Sequence, residues 1–222
     1  MGVGFILPAD CDSPAWALVT DSLERPKLVL KSGNARQEVL QRLGTGTLVV
    51  AGDLAEGAAG QDVERIRAAL RKAAQQAAPH NVRIAFEFQG RATFANNLQT
   101  AAALVAECGE PNLGICFDVF HYYTGPSKLE DLAALTTENL FHVQLCDLAG
   151  PPREWASDGD RVLPGDGDFQ LQPIVEHLRA IGYEGYVSLE VMNPQIWKIP
   201  PLQLAEVGMT ALRKVLGEAS MD

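Results

Sequence analysis

No stretch of this sequence is apolar enough for long enough to span a bilayer, which takes roughly 20 residues. The opening MGVGFILPADCDSP has no basic segment ahead of its short apolar run. A secretory leader is therefore not expected, a membrane partner is not expected, and the cytoplasm is the expected location. Basic residues are scarce: 18 Lys and Arg stand against 28 Asp and Glu, for a net charge of −10. Phosphate contacts need clustered cations, so a nucleic-acid partner is not expected either. The four cysteines, Cys11, Cys108, Cys116 and Cys146, have no CxxC spacing. Cys116 and Cys146 fall inside strand-like runs and read as reduced core thiols. Only four histidines are present. Two of them, His80 and His177, fall on helices or helix ends, which argues against a His-rich multi-metal cluster. No glycine-rich loop follows the first apolar run, and no G-x-x-x-x-G-K occurs, which weakens a nucleotide-binding reading.

What is present is alternation. The 222 residues are 47% apolar and 21% charged, enough for one sizeable core, and residues 1–222 read as a single domain. Strand-like runs at 2–8, 46–52, 82–90, 113–120, 140–147 and 185–194 alternate with helical periodicity at 35–45, 61–80, 94–109, 128–136, 171–183 and 200–219. Apolar strands alternating with helices mean a parallel sheet with crossovers, either an open doubly wound sheet or a β/α barrel. Residues 147–168 form the one long irregular stretch, a length that in compact domains usually serves a site.

The strands share a further property. GICFDVFHYYTG (114–125) is an apolar run that ends in Asp118, with His121 beyond it. IAFEF ends near Glu87. FHVQLCD carries His142 and Gln144 on one face, and then Asp147. VSLE ends in Glu190. Taken singly, each residue has an ordinary structural role. Asp118 caps the next turn, Gln144 is a hydrogen-bonding amide, Glu190 pairs with a basic loop residue, and His142 is a satisfied core histidine. Taken together, four successive strands deliver polar groups at their C-terminal ends. In a β/α barrel those ends meet at one mouth. Several buried carboxylates in one place repel unless a cation neutralises them. Three carboxylates with one amide oxygen make a hard, oxygen-rich set suited to Mn²⁺ or Mg²⁺, with Co²⁺ or Zn²⁺ as alternatives.

IAFEF, GICFDVFH, FHVQLCD, DRVLPGDGDF and GYEGYVSLEV together resemble the xylose isomerase-like sugar isomerase/epimerase superfamily. The likeness covers roughly residues 46–216. It implies a TIM-type barrel holding one divalent metal, with Glu87, Asp118, Gln144 and Glu190 at the metal-ligand positions. It places Glu87 and Glu190 as the acid-base pair, and His121 and Arg161, with His142, against a sugar or related polyhydroxy substrate. The implied reaction is isomerisation or epimerisation through an enediolate. The alternatives are a dehydroshikimate dehydratase-like lyase and a degenerate, non-catalytic barrel. Many members carry His where this chain has Gln144, and the family has four strands before Glu87 where only two are clear here. The barrel is therefore expected to lack about two N-terminal β/α units, unless KLVLK (27–31) adds a strand. Its open side would be covered by a second copy in a homodimer or by residues 9–34.

Overall fold

The computed structural model describes residues 2–5, 46–52 and 60–217. The helix read at 35–45, the strand at 27–31, the covering segment 9–34 and Cys11 lie outside these residues. The elements run β1 (Gly2–Phe5), β2 (Thr47–Ala51), α1 (Gly60–Ala77), β3 (Arg83–Glu87), α2 (Leu98–Cys108), β4 (Leu113–Asp118), α3 (Val119–Thr124), β5 (Leu140–Leu145), β6 (Asp147–Leu148), β7 (Arg161–Val162), α4 (Leu171–Ala180), β8 (Tyr186–Leu189) and α5 (Pro201–Leu216).

Six strands form one all-parallel sheet in the order β1-β8-β5-β4-β3-β2. Chain-order neighbours lie side by side from β2 to β5, and β8 returns to pair with both β5 and β1. That is the order of a barrel opened between its first strand and β2. Among the described residues the sheet does not close, and it forms an incomplete TIM barrel, as the strand count predicts. A closed barrel has no edges; here β1 and β2 are edges, and β2 is only half-buried along its length.

Helices cover the outer face because their apolar positions recur at three and four residues. Helix α1 buries Leu70, Ala73, Ala74 and Ala77, and α2 buries Leu98, Ala101, Val105 and Cys108. Helix α4 buries Leu171, Ile174, Val175 and Leu178. They pack on Ile84, Phe86, Ile115, Phe117, Val143 and Leu145 from the strands, in one continuous core. Asn97 caps α2 by accepting from the Thr100 N–H at 2.9 Å, and Gly109 ends it in the left-handed region at φ 68°.

The sequence reading needs one correction at the decisive place. The strand expected through Phe120 stops at Asp118, and Val119–Thr124 is a helix. The reason is local. Asp118 Oδ1 accepts the Phe120 N–H at 2.9 Å and opens a new helical turn. His121 consequently faces back from that helix instead of extending along the strand.

Candidate active site

The pleat sets the site. Residues two apart on a strand share a face, and Asp118 and Gln144 are register partners on neighbouring strands. Gln144 in turn pairs in register with Ser188, two residues before Glu190. Glu190 lies just past β8, its N–H still bonded to the Leu145 carbonyl at 3.1 Å. Glu87 ends β3. The C-terminal ends of β3, β4, β5 and β8 thus carry Glu87, Asp118, Gln144 and Glu190 on the inner side.

Helix α3 adds His121. Its Nε2 lies 3.6 Å from Glu87 Oε1 and 3.6 Å from Asp118 Oδ2. One donor atom from each of Glu87, Asp118 and His121 lies within 4.8 Å of the others, and all three residues are buried. The helix is pressed close by two glycines. A Cβ on Gly90 would stand 2.8 Å from the His121 carbonyl, and one on Gly125 2.7 Å from the same oxygen.

Arg161, from β7, reaches into the middle of the acids. Its Nη2 donates to Asp118 Oδ2 at 2.7 Å and its Nη1 to Asp118 Oδ1 at 3.2 Å, a two-pronged pair. Nη1 also lies 3.3 Å from Glu190 Oε2, and the guanidinium stacks 4.3 Å over the Phe120 ring. The side chain is 1% exposed. Asp158 accepts from its remaining edge, Nε at 2.9 Å and Nη2 at 2.7 Å.

The charges are unevenly settled. Burial pushes the Glu87 carboxyl up to about 8, with the Asp118 charge adding to it. Burial also drives Glu190 well above the usual carboxylate range, and Arg161 only partly offsets this. Burial acts on Asp118 in the same sense, but Arg161 and His121 outweigh it and hold that carboxyl below its ordinary value. Burial lowers His121, leaving its ring neutral near neutrality. Two carboxyls raised and one lowered is how crowded acids divide around a single guanidinium. The 3.6 Å spacings also suit donors around one divalent ion, since bonds of roughly 2.0–2.2 Å put two ligands no more than about 4.4 Å apart. The donor set therefore fits a divalent cation.

The structure thus brings Glu87, Asp118, His121, Glu190 and Arg161 together. Gln144 stands beside Asp118, with its Oε1 accepting from the Cys116 thiol at 3.0 Å. His142 sits one register step deeper, opposite Cys116, and its Nε2 contacts Ser188 Oγ at 2.8 Å. Burial lowers it to about 4. It lies beneath the acids and not among them. Asp147 is buried but turned to the loop, where it accepts the N–H groups of Leu148, Gly165 and Phe169. Sequence reasoning missed Asp158 and Phe120. The DGDR spacing, an acid three residues before Arg161, was the available signal for the first.

Comparison with known proteins meets this geometry at the level of family. The model of the xylose isomerase-like TIM barrel matches residues 29–215. The chain belongs to that family. A 3-dehydroshikimate dehydratase of Pseudomonas aeruginosa is 31% identical over 186 residues, 82% of this chain and 29% of that protein. An inosose isomerase of Bacillus velezensis is 32% identical over 124 residues, 55% of this chain and 44% of that protein. The chain thus spans less than half the length of either curated relative. A crystal structure of IolI protein with a bound zinc atom superposes with a TM-score of 0.76 at 25% identity, covering 83% of this chain and 68% of that one. These two curated relatives are thus an inosose isomerase and a 3-dehydroshikimate dehydratase. Among the described residues no helix is long and apolar enough to cross a membrane.

Proposed function

We propose that this chain is a divalent-metal-dependent isomerase or epimerase of a sugar-like polyhydroxy ketone. The observation that carries the reading is the meeting of Glu87, Asp118 and His121 at one mouth, with Glu190 joined to Asp118 through Arg161. Glu87, Asp118, Gln144 and Glu190 are the residues that would hold the cation, Mn²⁺ first among candidates, with His121 close enough to share it. The cation supplies positive charge that lowers the cost of an enediolate. The remaining work falls to the chain. A carboxyl whose proton affinity is raised toward neutrality is a competent base for a C–H next to a carbonyl, and returns the proton as an acid. Glu87 and Glu190 come from strands on either side of β4 and β5, so one can take the proton and the other return it on the opposite face. Neutral His121 offers a ring nitrogen to a substrate hydroxyl, and Arg161 holds the Asp118 and Glu190 carboxyls in place. His142, bonded to Ser188, supports the floor under Gln144. Among the described residues the sheet is open between β1 and β2, where a second copy would complete a homodimer, and sedimentation equilibrium reads that directly.

The test is exchange. With Mn²⁺ in D₂O, the protein should incorporate deuterium at the carbon beside the carbonyl of an inosose or ketose, followed by proton NMR. Metal bound at one per chain with no exchange on any ketone would favour a non-catalytic barrel. A second reading has one specific support, the 82% of this chain aligned with the dehydratase. Loss of water in place of exchange would select it.

A further inference from the structure

Asp158 occupies the outward edge of the site's one guanidinium. Among the described residues, Arg161 is the only Lys or Arg paired with Glu87, Asp118 or Glu190. Its inner edge is spent on Asp118 and Glu190. Its outer edge, Nε and Nη2, is the pair of donors that a carboxylate takes side-on. Both point at Asp158 Oδ1, at 2.9 and 2.7 Å. Asp158 itself is half exposed, at 49%, so it stands between the buried guanidinium and solvent. Its position is fixed. It opens a 3₁₀ turn whose start is tied by Asp160 Oδ2, which accepts from the Ser157 N–H at 2.9 Å and the Ser157 hydroxyl at 2.7 Å. Asn193 Nδ2 donates to the Arg161 carbonyl at 3.0 Å and holds the other end.

We propose that Asp158 is a specificity-determining residue, a built-in carboxylate that fills the outer fork of Arg161 and so turns the site toward neutral polyhydroxy substrates and against those bearing a carboxylate. This rests on the reading of the site as one for polyhydroxy ketones and narrows it. A substrate carboxylate arriving here meets the carboxylates of Asp118 and Asp158 and a guanidinium already paired on both edges. A neutral polyol needs no unpaired cation; its hydroxyls can donate to the same carboxylates. Charge of the wrong sign at a recognition site is an effective way to reject a competitor of similar shape.

The probes are myo-inositol, a neutral cyclic polyol, and shikimate, a ring of like size bearing a carboxylate, each titrated by ligand-observed NMR in one buffer. Wild type should bind myo-inositol at least about tenfold more tightly than shikimate. Asp158→Ala should raise shikimate affinity by about tenfold and leave myo-inositol within about threefold. Asp158→Asn, which keeps the shape and an accepting oxygen but not the charge, should gain less, in the same direction. A purely structural role would weaken both ligands together and leave their ratio unmoved. The proposal is overturned if wild type prefers shikimate, or if neither variant changes the ratio. Should wild type bind neither probe while Asp158→Ala takes up shikimate, the role of Asp158 stands and the polyhydroxy reading falls.

Discussion

Asp118, which ends β4, and Asp147, two residues past the end of β5, are both buried aspartates, at 0% and 1% exposure, yet they are satisfied in opposite ways. Asp147 accepts three backbone N–H groups, from Leu148, Gly165 and Phe169, and pins the loop that follows β5. Gly167 leaves room for it, since a Cβ there would stand 2.5 Å from Asp147 Oδ1. Asp118 accepts one backbone N–H and otherwise faces side chains, Arg161 and His121. Backbone donors are fixed by the fold and cannot leave. Side-chain partners can exchange for a ligand. The first arrangement builds structure and the second builds a site, although either residue alone is an acid ending an apolar run.

The largest expected effect breaks the comparison on the site side. Glu190→Gln should keep the fold, because the amide can still accept from Arg161, and should lower turnover by about 10²–10⁴, the usual cost of a lost acid-base group. Full activity on a substrate identified by deuterium exchange would remove Glu190 from that role.

The paired aspartates come next. Asp147→Ala strands three backbone donors, at about 1–3 kcal/mol for each that water cannot reach, so its melting temperature should fall by several degrees. Its Mn²⁺ stoichiometry, read by equilibrium dialysis, should stay at one. Asp118→Asn should invert this pattern, losing Mn²⁺ binding altogether. If both variants lose the cation equally, the division between structural and functional aspartate fails.

The acids themselves were legible in the sequence because apolar runs on successive strands end in Glu87, Asp118 and Glu190, and parallel strands bring such ends to one mouth. The helix stop at Gly109 was legible because only glycine enters the left-handed region without strain. The turn at Asp118 was not. Val119 and Phe120 favour strand, and only the Asp118 cap, a hydrogen bond two residues on, reverses them. The place of Arg161 could not be read from spacing, since β7 meets β6 through a loop whose path the sequence leaves open. His142 looked equivalent to Gln144 by alternation, but it stands two residues earlier on β5, opposite Cys116, and so below the mouth.

The smallest effect is a pH slope. In metal-free protein the Glu87 carboxyl is raised from 4.5 to about 8 by burial and by Asp118. A folded value above the unfolded one means that its contribution to stability is complete below about 4.5 and is lost as pH rises through about 8. The melting temperature in EDTA should therefore decline from neutral into alkaline pH. The cation needs the carboxylate, so Mn²⁺ affinity should rise over the same interval. Glu87→Gln should make both slopes shallower, the remainder coming from Glu190. A wild-type melting temperature that climbs with pH in EDTA would contradict this assignment of Glu87.

The most direct test of the central claim is anomalous diffraction from crystals soaked in Mn²⁺. The account predicts a single strong peak at the strand mouth, within roughly 2.0–2.6 Å of carboxylate oxygens of both Glu87 and Asp118. A map with no peak there, and with Arg161 still seated on both oxygens of Asp118 under saturating Mn²⁺, would contradict it.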